Sequence, residues 1–65
     1  MDLLLNGEPF SLGQTKTIAD LVISLELDGK FAIELNQTII PRSEYTTTTL
    51  HAGDQIEIVQ AIGGG

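Results

Sequence analysis

The sequence predicts an α+β domain in which a mixed sheet carries one main helix on one face. Three observations point to it. Short apolar runs are separated by turn signals, with Asn6-Gly7 the strongest of them. A single stretch, Ile18, Leu21, Val22 and Leu25, repeats at the i, i+3, i+4, i+7 spacing of a helix face. The last run, Gln55 to Gln60, alternates Ile56 and Ile58 with Glu57 and Val59, the period of a half-buried strand.

Taken in order, Met1–Leu5 and Glu8–Leu12 form a hairpin across Asn6-Gly7, because both turn residues tolerate positive φ. Alternation puts Met1, Leu3 and Leu5 on one face of the first strand and Asp2 and Leu4 on the other. Pro9 lacks a donor N–H and belongs near a strand start or on an edge. Gly13 to Lys16 is a polar loop. Thr17 is a good N-cap, and Asp20 three residues on completes a short capping box. Asp28-Gly29 supplies the helix stop, with Gly29 in the left-handed position. Phe31–Leu35 and Thr38–Ile40 are strands joined at Asn36-Gln37, and Pro41 ends their pairing. Arg42-Ser43-Glu44-Tyr45 reads as an irregular turn, and Thr46–Thr49 as an edge or extended connection. His51-Ala52-Gly53-Asp54 is a loop before the final strand. Hairpin, helix, short strands and a last strand beside the first make a ubiquitin-like β-grasp. The expected organisation is a domain over residues 1–60 and a flexible glycine-rich C-terminal tail over residues 61–65.

The chain has 65 residues, 42% hydrophobic and 18% charged, so a folded domain is expected rather than a disordered one. Its formal charge is −6, from nine acids against Lys16, Lys30 and Arg42. That balance repels nucleic acid and favours partners with basic surfaces. The absence of cysteine rules out disulfides and thiolate metal sites and fits a reducing, cytoplasmic setting. No apolar run approaches the ~20 residues of a membrane span, so no membrane association is expected. The amino end shows no signal-peptide pattern, and no processed leader is expected.

A conventional active site is hard to assemble from these residues. His51 is the single histidine and sits in a loop, so no metal cluster is available. Ser11, Ser24 and Ser43 lack any pattern that would activate a nucleophile. No bound cofactor is expected. The reactive group that remains is the α-carboxylate of Gly65, ionised at neutral pH. It stands at the end of Gly63-Gly64-Gly65, which follow directly on the apolar run Ile56–Ile62. Glycine has no Cβ to clash in a narrow channel and adopts whatever φ and ψ the channel demands. Fully extended, residues 61–65 reach roughly 15–18 Å, enough to enter a buried site from a docked domain. Leu4 and Val59, on the outer face of adjacent strands, would form an apolar docking patch leading to that tail, with Ile62 continuing it.

Several segments resemble the ThiS-type sulfur carriers of thiamine biosynthesis. They are the Asn6-Gly7 hairpin, Thr17-Ile18-Ala19-Asp20-Leu21, the run from Ile33 to Tyr45 with its Pro41-Arg42-Ser43, Gly53-Asp54-Gln55-Ile56-Glu57-Ile58, and the closing glycines. The resemblance covers nearly the whole chain. It implies a protein that is not an enzyme itself but a co-substrate. A ThiF-type adenylyltransferase would adenylate the Gly65 carboxylate with ATP. Sulfur drawn from cysteine through a cysteine desulfurase or sulfurtransferase would convert it to a thiocarboxylate. A ThiG-type thiazole synthase would then use that sulfur. The resemblance makes Gly63 and Gly64 the threading residues and implies a mature carrier needing no processing. Tyr45 stands where the family often has Trp, and Thr46–Thr49 is unusually threonine-rich. Three other readings rank lower: the small subunit of a molybdopterin synthase, a protein modifier that conjugates to lysine, and an interaction domain with an inert tail.

Overall fold

The computed structural model describes residues 1–13 and 16–60. Five strands form one mixed sheet: β1 (Asp2–Leu5), β2 (Glu8–Ser11), β3 (Phe31–Leu35), β4 (Thr38–Ile40) and β5 (Gln55–Gln60). The order across it is β2-β1-β5-β3-β4, with β5 at the centre. Both hairpins are antiparallel, β5 runs antiparallel to β3, and β5 lies parallel to β1. The last strand therefore does lie beside the first, as the β-grasp requires.

Both hairpin turns have two residues with positive φ, the type I′ geometry whose twist matches the strands. In the first, Asn6 and Gly7 stand at φ 50° and 83°; in the second, Asn36 and Gln37 stand at 50° and 72°. Pro9 lies on the edge strand β2, opposite Leu4, where a missing donor breaks no interior ladder.

Helix α1 (Ile18–Ser24) starts as the sequence predicts. The Asp20 N–H donates to Thr17 Oγ1, and the Thr17 N–H donates to the Asp20 carboxylate at 3.1 Å. The Lys16 N–H reaches the same carboxylate at 3.0 Å. Those backbone donors, that of Lys16 first, hold the Asp20 carboxyl below its ordinary value. The threonine-rich stretch serves this helix end as well. The N–H groups of Ile18 and Ala19 donate to the carbonyls of Thr48 and Tyr45, and Thr49 bridges Thr17. Helix donors without an intrahelical partner are thus satisfied across the fold.

The helix ends earlier than its sequence suggests. Leu25 is the C-cap, and Glu26, not Gly29, takes the left-handed position next to it at φ 53°. The Glu26 N–H donates to Ile23 and the Leu27 N–H to Val22, the paired bonds of a Schellman stop. Gly29 has positive φ too, at 76°, but in the loop beyond.

The core lies between α1 and the inner sheet face. Ile18 and Leu21 pack against Leu3, Ile33 and Ile56, and Leu12, Tyr45 and Leu50 close the sides. Val22 and Leu25, the rest of the helix stripe, are half-buried against this cluster. Met1 is the exception to the inward face of the first strand: it precedes β1, is exposed, and its amino group donates to the Leu12 carbonyl. The Arg42–Glu44 segment is one turn of 3₁₀ helix that brings Tyr45 into the core. No helix among the described residues is long and apolar enough to cross a membrane.

Candidate functional site

The β1 strand stops at its turn, so its pairing with β5 ends at Leu5 opposite Ile56. The β5 strand runs on for four residues along β3, to Gln60 opposite Phe31. The β1 side of this extension is held by one side chain. Asn6 donates its backbone N–H to the Ile56 carbonyl, and its Oδ1 accepts from the Ile58 N–H at 2.8 Å. Asn36 does the equivalent work at the start of the strand. Its Oδ1 accepts from the Gln55 N–H at 2.9 Å, and its amide donates to Asp54. Two turn asparagines thereby hold β5 at its first residue, Gln55, and at its middle, Ile58. The turn chemistry was legible in the sequence; the clamping was not, because it depends on which strand lies alongside.

Gln60 ends β5 and is exposed. The tail residues singled out in the sequence, Gly63, Gly64 and Gly65, lie outside the described residues, as does Ile62.

The structure does not bring Leu4 and Val59 together. Leu4 is level with Gln55 in the parallel register, and Val59 lies four residues further along, opposite Ala32. At about 3.3 Å per residue that is roughly 13 Å. The reason is that β1 turns back before it could reach the level of Val59. Leu4 is half-buried and borders a shallow groove of ≈ 370 Å³ with Gln55, Glu57 and the Asn6-Gly7 turn. Val59 is 63% exposed. Both residues belong to the outer face, away from the helix. Ile39, 67% exposed, shares that face, and Glu34 and Glu57 stand directly opposite one another across β3 and β5. Like charges in that arrangement repel, so the face is acidic with isolated apolar side chains rather than a continuous apolar patch.

The remaining chemistry-bearing residues do not converge. The His51 side chain is 76% exposed, with Nδ1 4.0 Å from Asp54. Among the described residues, no group of three or more His, Cys, Asp or Glu is placed to hold a metal ion. Ser11, Ser24 and Ser43 are exposed and lie on β2, at the end of α1 and in the 3₁₀ turn.

One cluster at the end of β5 was not anticipated. The Arg42 guanidinium carbon lies 4.9 Å from the Phe31 ring centroid, and Phe31 stacks on Tyr45 at 6.3 Å. Sequence reasoning placed Arg42 and Tyr45 in a turn but had no signal for Phe31 beneath them. That contact depends on β4 pairing back along β3.

Comparison with known proteins agrees with this geometry. The profile of the ThiS family matches residues 3–65. The chain is 42% identical to the sulfur carrier protein ThiS of Bacillus subtilis, over 97% of this chain and 98% of that protein. It is 39% identical over its full length to a thiazole synthase of Paramagnetospirillum magneticum, of which it spans only 20%. Among solved structures, a thiamine biosynthesis protein (ThiS) from Geobacter metallireducens matches with a TM-score of 0.83 and 28% identity, covering 100% of both chains.

Proposed function

The chain belongs to the ThiS family, and from that premise we propose that it carries sulfur for thiazole formation in thiamine biosynthesis on its C-terminal glycine. In this reading the Gly65 carboxylate attacks the α-phosphate of ATP in an E1-like, ThiF-type adenylyltransferase and releases pyrophosphate. A persulfide sulfur, charged from cysteine by a desulfurase or sulfurtransferase, then displaces AMP from the acyl-adenylate to give an acyl disulfide. A thiol of the sulfur-donating enzyme cleaves its S–S bond, forming a disulfide with the departing donor sulfur and releasing the thiocarboxylate. Thiazole synthase takes the sulfur, and the carrier returns as a carboxylate. Gly63 and Gly64 pass through the enzyme's channel, and the acidic domain docks on its surface. The setting proposed is the cytoplasm.

The observation that carries the reading is the family match running through the terminal glycines at residue 65. The fold supports it mechanically, because β5, the strand leading to those glycines, is the central strand and is held at Gln55 and Ile58 by the two turn asparagines. The relative named thiazole synthase, which contains a segment like this whole chain, supports that enzyme as a partner.

Intact-mass measurement of the protein recovered from cells tests the proposal. The expected result is a species in which one oxygen is exchanged for sulfur, localised to Gly65. Deleting Gly65 or adding a residue after it should abolish loading and leave the fold intact. Normal loading of the extended form would refute the mechanism.

A further inference from the structure

Two of the chain's three cations, Lys30 and Arg42, sit where β5 ends. Lys30 directly precedes Phe31, the residue paired with Gln60. Arg42 lies over the Phe31 ring, and Tyr45 stacks on the same ring at an interplanar angle of 20°. Tyr45 is 8% exposed, so the base of the stack is fixed in the core. The guanidinium on top is at the surface. Among the described residues the one close ion pair is His51 with Asp54, so Arg42 has no carboxylate partner there. Asp28 borders the same groove, but its Oδ1 accepts from the Gly29 N–H at 2.7 Å. A planar donor fork held against an aromatic face loses little freedom when it binds, and its geometry matches a carboxylate bidentately.

The groove beside Arg42 has a volume of ≈ 240 Å³, and Val22, Leu27, Phe31 and Tyr45 supply its apolar wall. This is room for one aliphatic side chain next to the ion pair.

We propose that Arg42, seated on Phe31, is a docking residue for a carboxylate side chain on the rim of the thiazole synthase channel that receives the tail. The neighbouring groove takes an aliphatic residue of the same rim segment. The inference rests on the carrier reading, which requires an enzyme to close around the chain beyond Gln60. Any such enzyme meets the Phe31 end of β3 first. The alternative anion, a nucleotide phosphate, belongs to the far end of the tail. Residues 61–65 fully extended carry the reacting carboxylate roughly 15–18 Å from Gln60, and Arg42 stays behind with the domain. The site is therefore at the rim and separate from the acidic outer face of the sheet.

The test titrates the full-length chain against thiazole synthase of the same organism at about 50 and about 300 mM NaCl, where screening differs strongly. Wild type is compared with Arg42→Gln, which keeps a planar group on Phe31, and Arg42→Lys, which keeps the charge but loses the fork. Thermal midpoints are recorded for each. At low salt, Arg42→Gln should bind about tenfold more weakly and Arg42→Lys about threefold, with the Gln variant less sensitive to salt. Wild-type affinity from both variants would overturn the proposal and leave the carrier reading standing. A loss of equal size at both salt concentrations would mean a packing role and would also overturn it. Failure of wild type itself to bind would overturn the docking step of the carrier reading and this site with it.

Discussion

Replacing Asn6 with alanine should loosen the outer half of β5 and lower the stability of the whole domain. Two losses add. The Ile58 N–H loses its acceptor at 2.8 Å, an exposed bond that water partly replaces, worth about 0.5–1 kcal/mol. Alanine must also hold φ near 50°, at roughly 1–2 kcal/mol, because its Cβ crowds the carbonyl where asparagine is tolerated. The total is about 2 kcal/mol. A domain of this size responds with a fall in thermal midpoint of roughly 8–16 °C. Asn6→Asp keeps both the acceptor and the tolerance of positive φ and should lose well under half of that. Asn6→Gly removes the acceptor without the strain and should fall between them. Amide hydrogen exchange reads the local effect: Ile58 should lose protection in the Ala and Gly variants while Ile33, deep in the core, follows global stability. Unchanged protection of Ile58, or equal destabilisation by Ala and Asp, would refute the clamp.

Two further outcomes follow from the backbone and from the helix start. Gln37 occupies at φ 72° the position that glycine fills in the first hairpin. Gln37→Gly should therefore raise stability by about 0.5–1 kcal/mol in urea denaturation, the relieved strain exceeding the added freedom of the unfolded chain. Asp20→Asn should lower the thermal midpoint at neutral pH. The Asp20 carboxyl is held below its ordinary value of 3.8 in the folded state, so its contribution is present above that value and is lost as pH falls through the depressed one. The gap between wild type and variant should be constant near neutrality and close below about pH 4.

Local chemistry was legible in the sequence where it acts within a few residues. Asn6-Gly7 announced a hairpin because only residues tolerant of positive φ fit that turn. Thr17 and Asp20 announced the helix start because their reciprocal bonds span three positions. The helix end was not legible. Gly29 is the obvious left-handed residue, yet Glu26 takes the position, and the two Schellman bonds close around it. Register was hidden for a different reason. Alternation put Leu4 and Val59 on the outer face, but the parallel offset of β1 against β5 comes from distant pairing, and it separates them. Arg42 on Phe31 is hidden in the same way, since those residues meet through the β3–β4 hairpin. The family resemblance pointed to the glycines, and the fold shows the strand that leads to them.

The placement of β5 has a mechanical consequence. A pull on the chain beyond Gln60 acts along the strand axis, nearly perpendicular to its ladder with β3. Five register pairs, Phe31–Gln60 through Leu35–Ile56, then bear the load in shear together rather than parting one by one as in a peeled edge. The parallel contact with β1 and the Asn6 side chain resist the same displacement from the other side. A pull along the strand axis is therefore resisted through two neighbouring strands, where an edge strand would have only one.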